Sequence, residues 1–394
     1  MVAPGRWHAF DLGRELHLSG NLDRLVTNYP RWKTRQWGIP DEKVRSFFWH
    51  YLLTRGIWEC GGENLDIALG RFFCPWFGRA SRQACQGSRH LHVWAGAAHE
   101  ILSSSSRSPG TVLVDRASAH RVEQDRILEK EFSVHGRTWP ARPRSMTKRE
   151  VEEYAASDGL IVPSLFVLRT FQQQGFPPER IHLAGLGVNL SAFRGGSARP
   201  AGLRILYAGS LSIRKGIPRL LQAFSMANLP EAKLQLVGGI TGEIRPLVRN
   251  LPPSIELIGH VPQARLAEIY RAGSFFVMPS VEEGQAMVQL QAMACGLPLI
   301  CTDRTGGEDL LMKSGPGEDL PEGIREYPAG FLVPAADEKR LAEALRRLAL
   351  TPGLLAAKRN NVANMDFSPF SWKAYAGRVL AIHEKVAAGQ RARN

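Results

Sequence analysis

The spacing of apolar and polar positions along the chain changes period again and again. In residues 1–185, short apolar runs read as strands: RLVTNYP (24–30), VRSFFW (44–49), HLHVWAG (90–96) and TVLVDRAS (111–118). Segments of helical period separate them. The first, FDLGRELHLSG, sets Phe10, Leu12, Leu16 and Leu18 on one face and stops at Gly20, and VEEYAASDGLIVPSLFVLRTFQQQGF repeats the theme. Buried runs separated by helices predict a parallel α/β sheet. GGSARPAG (195–202) reads as a linker, and a second series follows with LRILYAG, AKLQLVG, IELIGHV, FFVMPS and LPLICTD as strands. SPFSWKAYAGRVLAIHEKV (368–386) reads as one amphipathic helix able to pack back on the first unit. The predicted division is therefore a Rossmann-like domain over 1–190, a linker over 191–202, a second Rossmann-like domain over 203–365, and a returning helix over 366–394 that ends in a frayed AAGQRARN. SSSSRS (103–108) reads as a loop. MVAP leaves few residues before Gly5, so either the first strand is short or the start is misassigned.

Composition narrows the classes. With 394 residues and 44% hydrophobic positions, the chain can bury the cores of two domains, which excludes extensive disorder. Five cysteines without a Cys-x-x-Cys pair indicate neither a disulfide framework nor a zinc ribbon, and they suit reduced, cytoplasmic thiols. No leader-like segment opens the chain and no run of 18 apolar residues occurs, which disfavours export and membrane spanning. The net charge of +13 is concentrated early, with 27 Lys+Arg against 19 Asp+Glu in residues 1–200. That excess suits an anionic membrane surface or acidic substrate as well as it suits a generally basic proteome. Two aromatic, basic stretches, SFFWHYLLTRGIW (46–58) and RFFCPWFGRASRQ (71–83), also invite an interfacial reading, but their place between strands favours helices packed in the core.

The chemistry concentrates in PSVEEGQAMVQLQAMACGLPLICTDRTGGED (279–309). A strand ends at FFVMPS, a loop carries Glu282, Glu283 and Gly284, and a helix from about Gln285 to Ala294 stops at Gly296. Free amides at the start of that helix, at the carboxyl edge of a parallel sheet, suit a phosphate-bearing ligand; the plain alternative is a solvated acidic loop. AGSLSIRKG sets Gly209 at a strand end, with Arg214 and Lys215 in the loop before the next helix. VGGITG (237–242) lacks a full dinucleotide fingerprint and reads as a turn, and no histidine spacing suggests a metal site.

These blocks resemble a retaining glycosyltransferase of GT-B fold, family 4 (glycosyl transferases group 1). LRILYAGSLSIRKGIPRLLQAF, LQLVGG, IGHVPQARLAEIYRAGSFFVMPSVEEG and QAMACGLPLICTD carry the resemblance in order, supported by SDGLIVPSLFVLRTF and RIHLAGLGVNLSAF in the first half. The resemblance implies two Rossmann-like, doubly wound parallel-sheet domains facing a cleft. The family's Glu-x7-Glu pair falls on Glu283 and Gln291, so an amide stands where the second acid holds the ribose. Lys215 matches the lysine that stabilises the leaving diphosphate, and Ser210 occupies the usual arginine position, which leaves Arg214 as a substitute cation. Further implied donor contacts are Gly209, Gly284, Gln285, Ala286, Met287, Gly259, His260, Val261, Thr305 and Gly306. His120 is placed near the reacting centre, and Gly5, Arg6, Trp7 and His8 meet the acceptor. The expected partners are a UDP- or GDP-sugar and a carbohydrate or lipid-linked acceptor, with peripheral contact to an anionic membrane and no nucleic acid. Neither a cofactor nor a metal is expected. A nucleotide-sugar 2-epimerase and a non-catalytic nucleotide-binding subunit share the architecture and stand as alternatives.

Overall fold

The computed structural model describes residues 1–103, 110–196 and 202–391. The first unit alternates β1 (Val2–Ala3), α1 (Ala9–Leu18), β2 (Leu25–Thr27), α2 (Arg31–Arg35), β3 (Val44–Ser46), α3 (Phe48–Ala84), β4 (His90–Trp94), α4 (His99–Leu102), β5 (Thr111–Asp115), α5 (Arg121–Val134), α6 (Arg144–Ala156), β6 (Gly159–Val162), α7 (Leu165–Gln173) and β7 (Ile181–Leu183). Its strands form one parallel sheet in the order β3-β2-β1-β4-β5-β6-β7. Both faces of that sheet are covered, which is why β1, β2, β5 and β6 are buried end to end. β1 is short, yet it sits in the middle of the sheet between β2 and β4.

The second unit runs β8 (Arg204–Ala208), α8 (Ile217–Ala227), β9 (Lys233–Val237), β10 (Ile255–Gly259), α9 (Gln263–Arg271), β11 (Phe275–Met278), α10 (Met287–Ala294), β12 (Leu299–Thr302), α11 (Gly307–Leu311), β13 (Glu318–Asp319), β14 (Arg325–Tyr327), β15 (Gly330–Val333), α12 (Glu338–Leu350) and α13 (Leu354–Ala363). Its sheet order is β10-β9-β8-β11-β12-β15-β14-β13, parallel except for the β13–β14–β15 meander. Among the parallel strands the order reverses between β1 and β4 in the first sheet and between β8 and β11 in the second. Loops leaving a reversal point part from each other and open a crevice at the carboxyl edge. The two crevices face each other.

The last helix, α14 (Trp372–Arg391), lies against the first unit. Tyr375 Oη is 3.3 Å from Asp115 Oδ2, Arg378 donates to the Gly185 carbonyl at 2.7 Å, and Thr111 Oγ1 donates to Gln390 at 2.8 Å. The predicted frayed tail is helical as far as Arg391. Residues 197–201 of the expected linker and 104–108 of SSSSRS lie outside the described residues.

The two aromatic stretches depart from expectation. Both fall in α3, and they are not core helices: Trp49, Leu52, Leu53, Phe72 and Trp76 are all exposed. Nor is α3 straight. His50 Nε2 lies 3.1 Å from the Phe73 carbonyl oxygen, and its ring lies 5.1 Å from that of Trp76. At 1.5 Å per residue a straight helix would separate those residues by roughly 35 Å. The chain is helical but doubles back, forming a hairpin whose two arms bury Tyr51 and Phe77 and turn their other faces outward.

Candidate functional site

The loops after β8 and β11 are built as one unit. Gly216 adopts φ +69° as the residue capping α8, and a side chain there would strike the Pro279 carbonyl. Val281 N donates to Arg214 O at 3.0 Å across the same contact. This close approach brings Lys215 Nζ against Glu283 Oε2, the two side chains expected to hold diphosphate and sugar. Burial pushes the Lys215 ammonium down to about 7, and Arg214 adds to the depression while Glu282 opposes it. Contact with Glu283 works against that trend, so the direction follows from burial among polar groups rather than from this one pair.

Arg214 is committed elsewhere. Its guanidinium lies 2.8 Å from Glu282 Oε2, and its Nε also donates to Glu282 O at 3.2 Å. Glu282 is fully buried and receives Ala119 N at 3.1 Å and Gln124 Nε2 at 2.9 Å, both from the first unit. Complete burial would raise this carboxyl, but Arg214 and these two donors hold it below the usual carboxylate range. Arg214 therefore joins the donor loop to the opposing domain, and Lys215 is the cation left at the crevice. Sequence reasoning missed Glu282. The only signal was its place beside Glu283.

Ala286 precedes the first turn of α10, and Gln291 follows one turn later with its Oε1 buried and without a hydrogen-bond partner. An unpartnered buried acceptor is costly and is ready to receive a hydroxyl. Ser210 is exposed at the end of the β8 loop, its carbonyl accepting from Tyr207 Oη at 2.8 Å, and Gly209 has φ +142°. Gly259 ends β10, and His260, which is exposed, and Val261 follow on the same sheet edge.

Of the other predicted donor contacts, Gln285, Gly284 and Gly306 pack where the two units meet, and Thr305 is buried within the second unit. Gln285 is buried and its Oε1 accepts from Leu186 N at 2.5 Å. Thr305 is fully buried, its hydroxyl 2.9 Å from Thr302 O and 3.1 Å from Gln289 Oε1, with one proton to share between them. Gly284 and Gly306 lie where backbones of the two units meet: a side chain on Gly284 would strike Ala117 O, and Ser164 Oγ donates to Gly284 O at 2.5 Å. These small residues permit close packing of the domains. Met287 looks into the first unit.

On that side, Gly5, Arg6 and Trp7 line a cavity of about 790 Å³, roofed by both arms of α3 and bordered by Met287. His8 does not line it. Its ring is buried, with Nε2 3.0 Å from Asp115 Oδ2, an oxygen also met by His92 Nε2 at 3.2 Å and Tyr375 Oη. Burial raises the Asp115 carboxyl, but His8 and His92 outweigh it and hold the group well below its ordinary value. His120 likewise turns inward: Nδ1 accepts from Val122 N at 3.3 Å as the cap of α5, and the ring packs against Tyr154 and Phe171. Burial, followed by the Arg116 charge, pushes its imidazole down to about 4. It is a neutral capping group.

The two Rossmann-like units agree with comparison to known proteins. Residues 202–350 match the family model of the glycosyl transferases, group 1. These residues form a glycosyl transferases group 1 domain. A D-inositol 3-phosphate glycosyltransferase of Catenulispora acidiphila is 28% identical over 331 residues, covering 77% of this chain and 73% of its own length. An alpha-maltose-1-phosphate synthase of Mycolicibacterium smegmatis is 30% identical over 229 residues, 54% of this chain and 52% of its own. Among solved structures, a sucrose-phosphate synthase of Thermosynechococcus elongatus superposes with a TM-score of 0.70 at 21% identity, covering 98% of this chain and 94% of that one. Anabaena HepE, solved with UDP, gives 0.66 at 14% identity with 97% coverage of both. By fold the chain is of the GT-B type, and its second unit carries the glycosyl transferases group 1 domain. No helix among the described residues is long and apolar enough to cross a membrane.

Proposed function

We propose that this glycosyltransferase moves a hexose from a UDP- or GDP-sugar to a hydroxyl of a carbohydrate or lipid-linked acceptor with retention of anomeric configuration. The reading rests on the pairing of Lys215 with Glu283 at the reversal point of the second sheet. A lysine and a carboxylate that partner one another in the absence of donor are each supplied with a better partner by it: the diphosphate for Lys215, the sugar hydroxyls for Glu283. Gln291 Oε1 accepts from a ribose hydroxyl.

In the reaction the bond between the anomeric carbon and the diphosphate oxygen breaks, and the acceptor oxygen bonds to that carbon on the same face. The acceptor's proton passes to the departing diphosphate oxygen. Lys215 holds the developing negative charge in a site where burial strengthens the interaction. Arg214 positions the Lys215 loop through Glu282, and the chemistry needs no second protein carboxylate as nucleophile. The test is a panel of UDP- and GDP-sugars with EDTA present, reading nucleotide release and the product anomer by NMR. Release from one donor with retention supports the proposal. Inversion, or loss of all release with EDTA and its recovery on adding a divalent ion, overturns it.

A further inference from the structure

Helix α5 of the first unit reaches the second unit at two places, and the residues it meets there flank Lys215. Near its start Gln124 is buried, and its amide is oriented by its neighbours. Oε1 accepts from Arg116 at 2.9 Å and from Arg121 at 3.1 Å, which leaves Nε2 to donate to Glu282 Oε2 at 2.9 Å. Glu282 passes that contact on to Arg214, whose Nε donates to the same oxygen at 2.9 Å. Further along, Glu131 is buried and receives Arg219 on both oxygens, Nε at 2.9 Å and Nη2 at 3.1 Å. The third nitrogen of Arg219 donates to Glu338 of α12 at 2.7 Å. The seven residues from Gln124 to Glu131 bring the helix back to nearly the same face roughly 10 Å further on. Arg214 precedes Lys215 and Arg219 sits in the first turn of α8, so one face of α5 grips the Lys215 loop on both flanks. Phe132, beside Glu131, is buried in the core of the second unit, and Trp139 packs against it.

We infer that Gln124 and Glu131 are positioning residues for the diphosphate site, which they serve from the opposite unit by fixing the loop that carries Lys215. This rests on the reading of Lys215 as the diphosphate's cation. A lysine is a point charge on a flexible stem, and its use as a phosphate partner depends on how well its backbone is held. A loop fixed at both flanks offers its cation already placed, so binding is spared part of the ordering cost. Gln124 acts through Glu282 and Arg214, and Glu131 through Arg219 and the start of α8.

Gln124→Met keeps the length of the side chain and removes its donor, and Glu131→Gln keeps an acceptor and removes the charge. Arg219→Lys, which keeps the charge but not the paired contact, replaces whichever of them does not fold by circular dichroism. Hydrogen exchange read by mass spectrometry on the ligand-free protein reports on the loop directly. In each variant, exchange over residues 211–217 is expected to quicken by about tenfold, with β11 and β12 of the same sheet as in wild type. Unchanged exchange over 211–217 in both variants overturns the inference. Calorimetry then reports on the site, with UDP and GDP as probes and uridine and guanosine as phosphate-free controls. Each variant should weaken the diphosphate that binds by about tenfold and leave its nucleoside unchanged. In a Lys215→Ala background the same variants should cost nothing further, because the residue through which they act is gone. An equal loss for the nucleoside, or a loss that persists without Lys215, makes the role a general structural one and overturns positioning. If neither diphosphate binds the wild-type protein, the donor reading fails, and the exchange data alone decide whether α5 holds the loop.

Discussion

Lys215 and Glu283 illustrate how residue chemistry depends on neighbours that the sequence does not display. Removing the ammonium by Lys215→Ala is expected to lower kcat on the order of a hundredfold or more with the thermal unfolding curve unchanged, as steady-state kinetics would show. The depressed Lys215 value adds a pH signature. The charged form is the one that binds diphosphate, so kcat/KM for donor is expected to fall as pH rises through about 7, and Lys215→Arg, which stays charged, should remove that limb of the profile. Gln291→Glu supplies a charged acceptor at the unpartnered position and is expected to preserve or tighten UDP binding, measured by calorimetry against 2′,3′-dideoxy-UDP, for which the gain should vanish. The sequence pattern singled out Lys215, Glu283 and Gln291 because all three lie within motifs. It did not locate Asp115, Glu282 or the inward turn of His8 and His120. Their partners come from other elements, 50 residues along for His120 and Thr170, 107 for His8 and Asp115 and 163 for Glu282 and Ala119, and no spacing rule reaches that far.

At the scale of elements, the helices and strands were legible where one face of each is apolar, and α3 was not. An aromatic-rich stretch between two strands reads as core on the assumption that apolar means buried, whereas here Trp49 and Phe72 lie on the outer face of a hairpin. The reversal was hidden as well, because both arms have helical periodicity and the pattern says nothing about direction. Beside this hairpin, α6 holds Glu153, fully buried, with Oε2 accepting from Gly96 N at 2.6 Å. Burial and the neighbouring Glu150 raise its carboxyl to about 8. A raised acid binds a proton in the folded state that the unfolded chain releases near its ordinary value of about 4.3. Folding stability contributed by this group is therefore present at low pH and lost as pH rises from about 4.3 towards 8. Glu153→Gln keeps an acceptor for Gly96 N without the titration, so its stability relative to wild type should increase between pH 5 and 8 in urea melts. A constant difference across that range would remove Glu153 as the cause.

For the whole molecule, the two-unit architecture and the returning helix were readable from the double series of strand runs and the final amphipathic block. The closeness of the units was not, because it depends on residues without side chains. Gly284 lies where a Cβ would strike Ala117 O, beside the Glu282 bonds to Ala119 and Gln124 and the Arg169–Glu308 pair at 2.7 Å. Gly284→Ala is expected to hold the domains apart, lowering kcat by about tenfold or more and enlarging the radius of gyration by small-angle scattering, with each unit's secondary structure intact. An unchanged radius with normal turnover would show that the seam can yield.

The return of α14 to the first unit also sets a sequence of events during synthesis. Asp115, His8 and His92 are among the first third of the chain to leave the ribosome, but Tyr375, which completes their cluster, is among the last. Until it arrives, a carboxylate and two imidazoles stand open at the centre of the first sheet. The first unit therefore completes this cluster only with a residue 260 positions further along the chain, so its core closes late in synthesis.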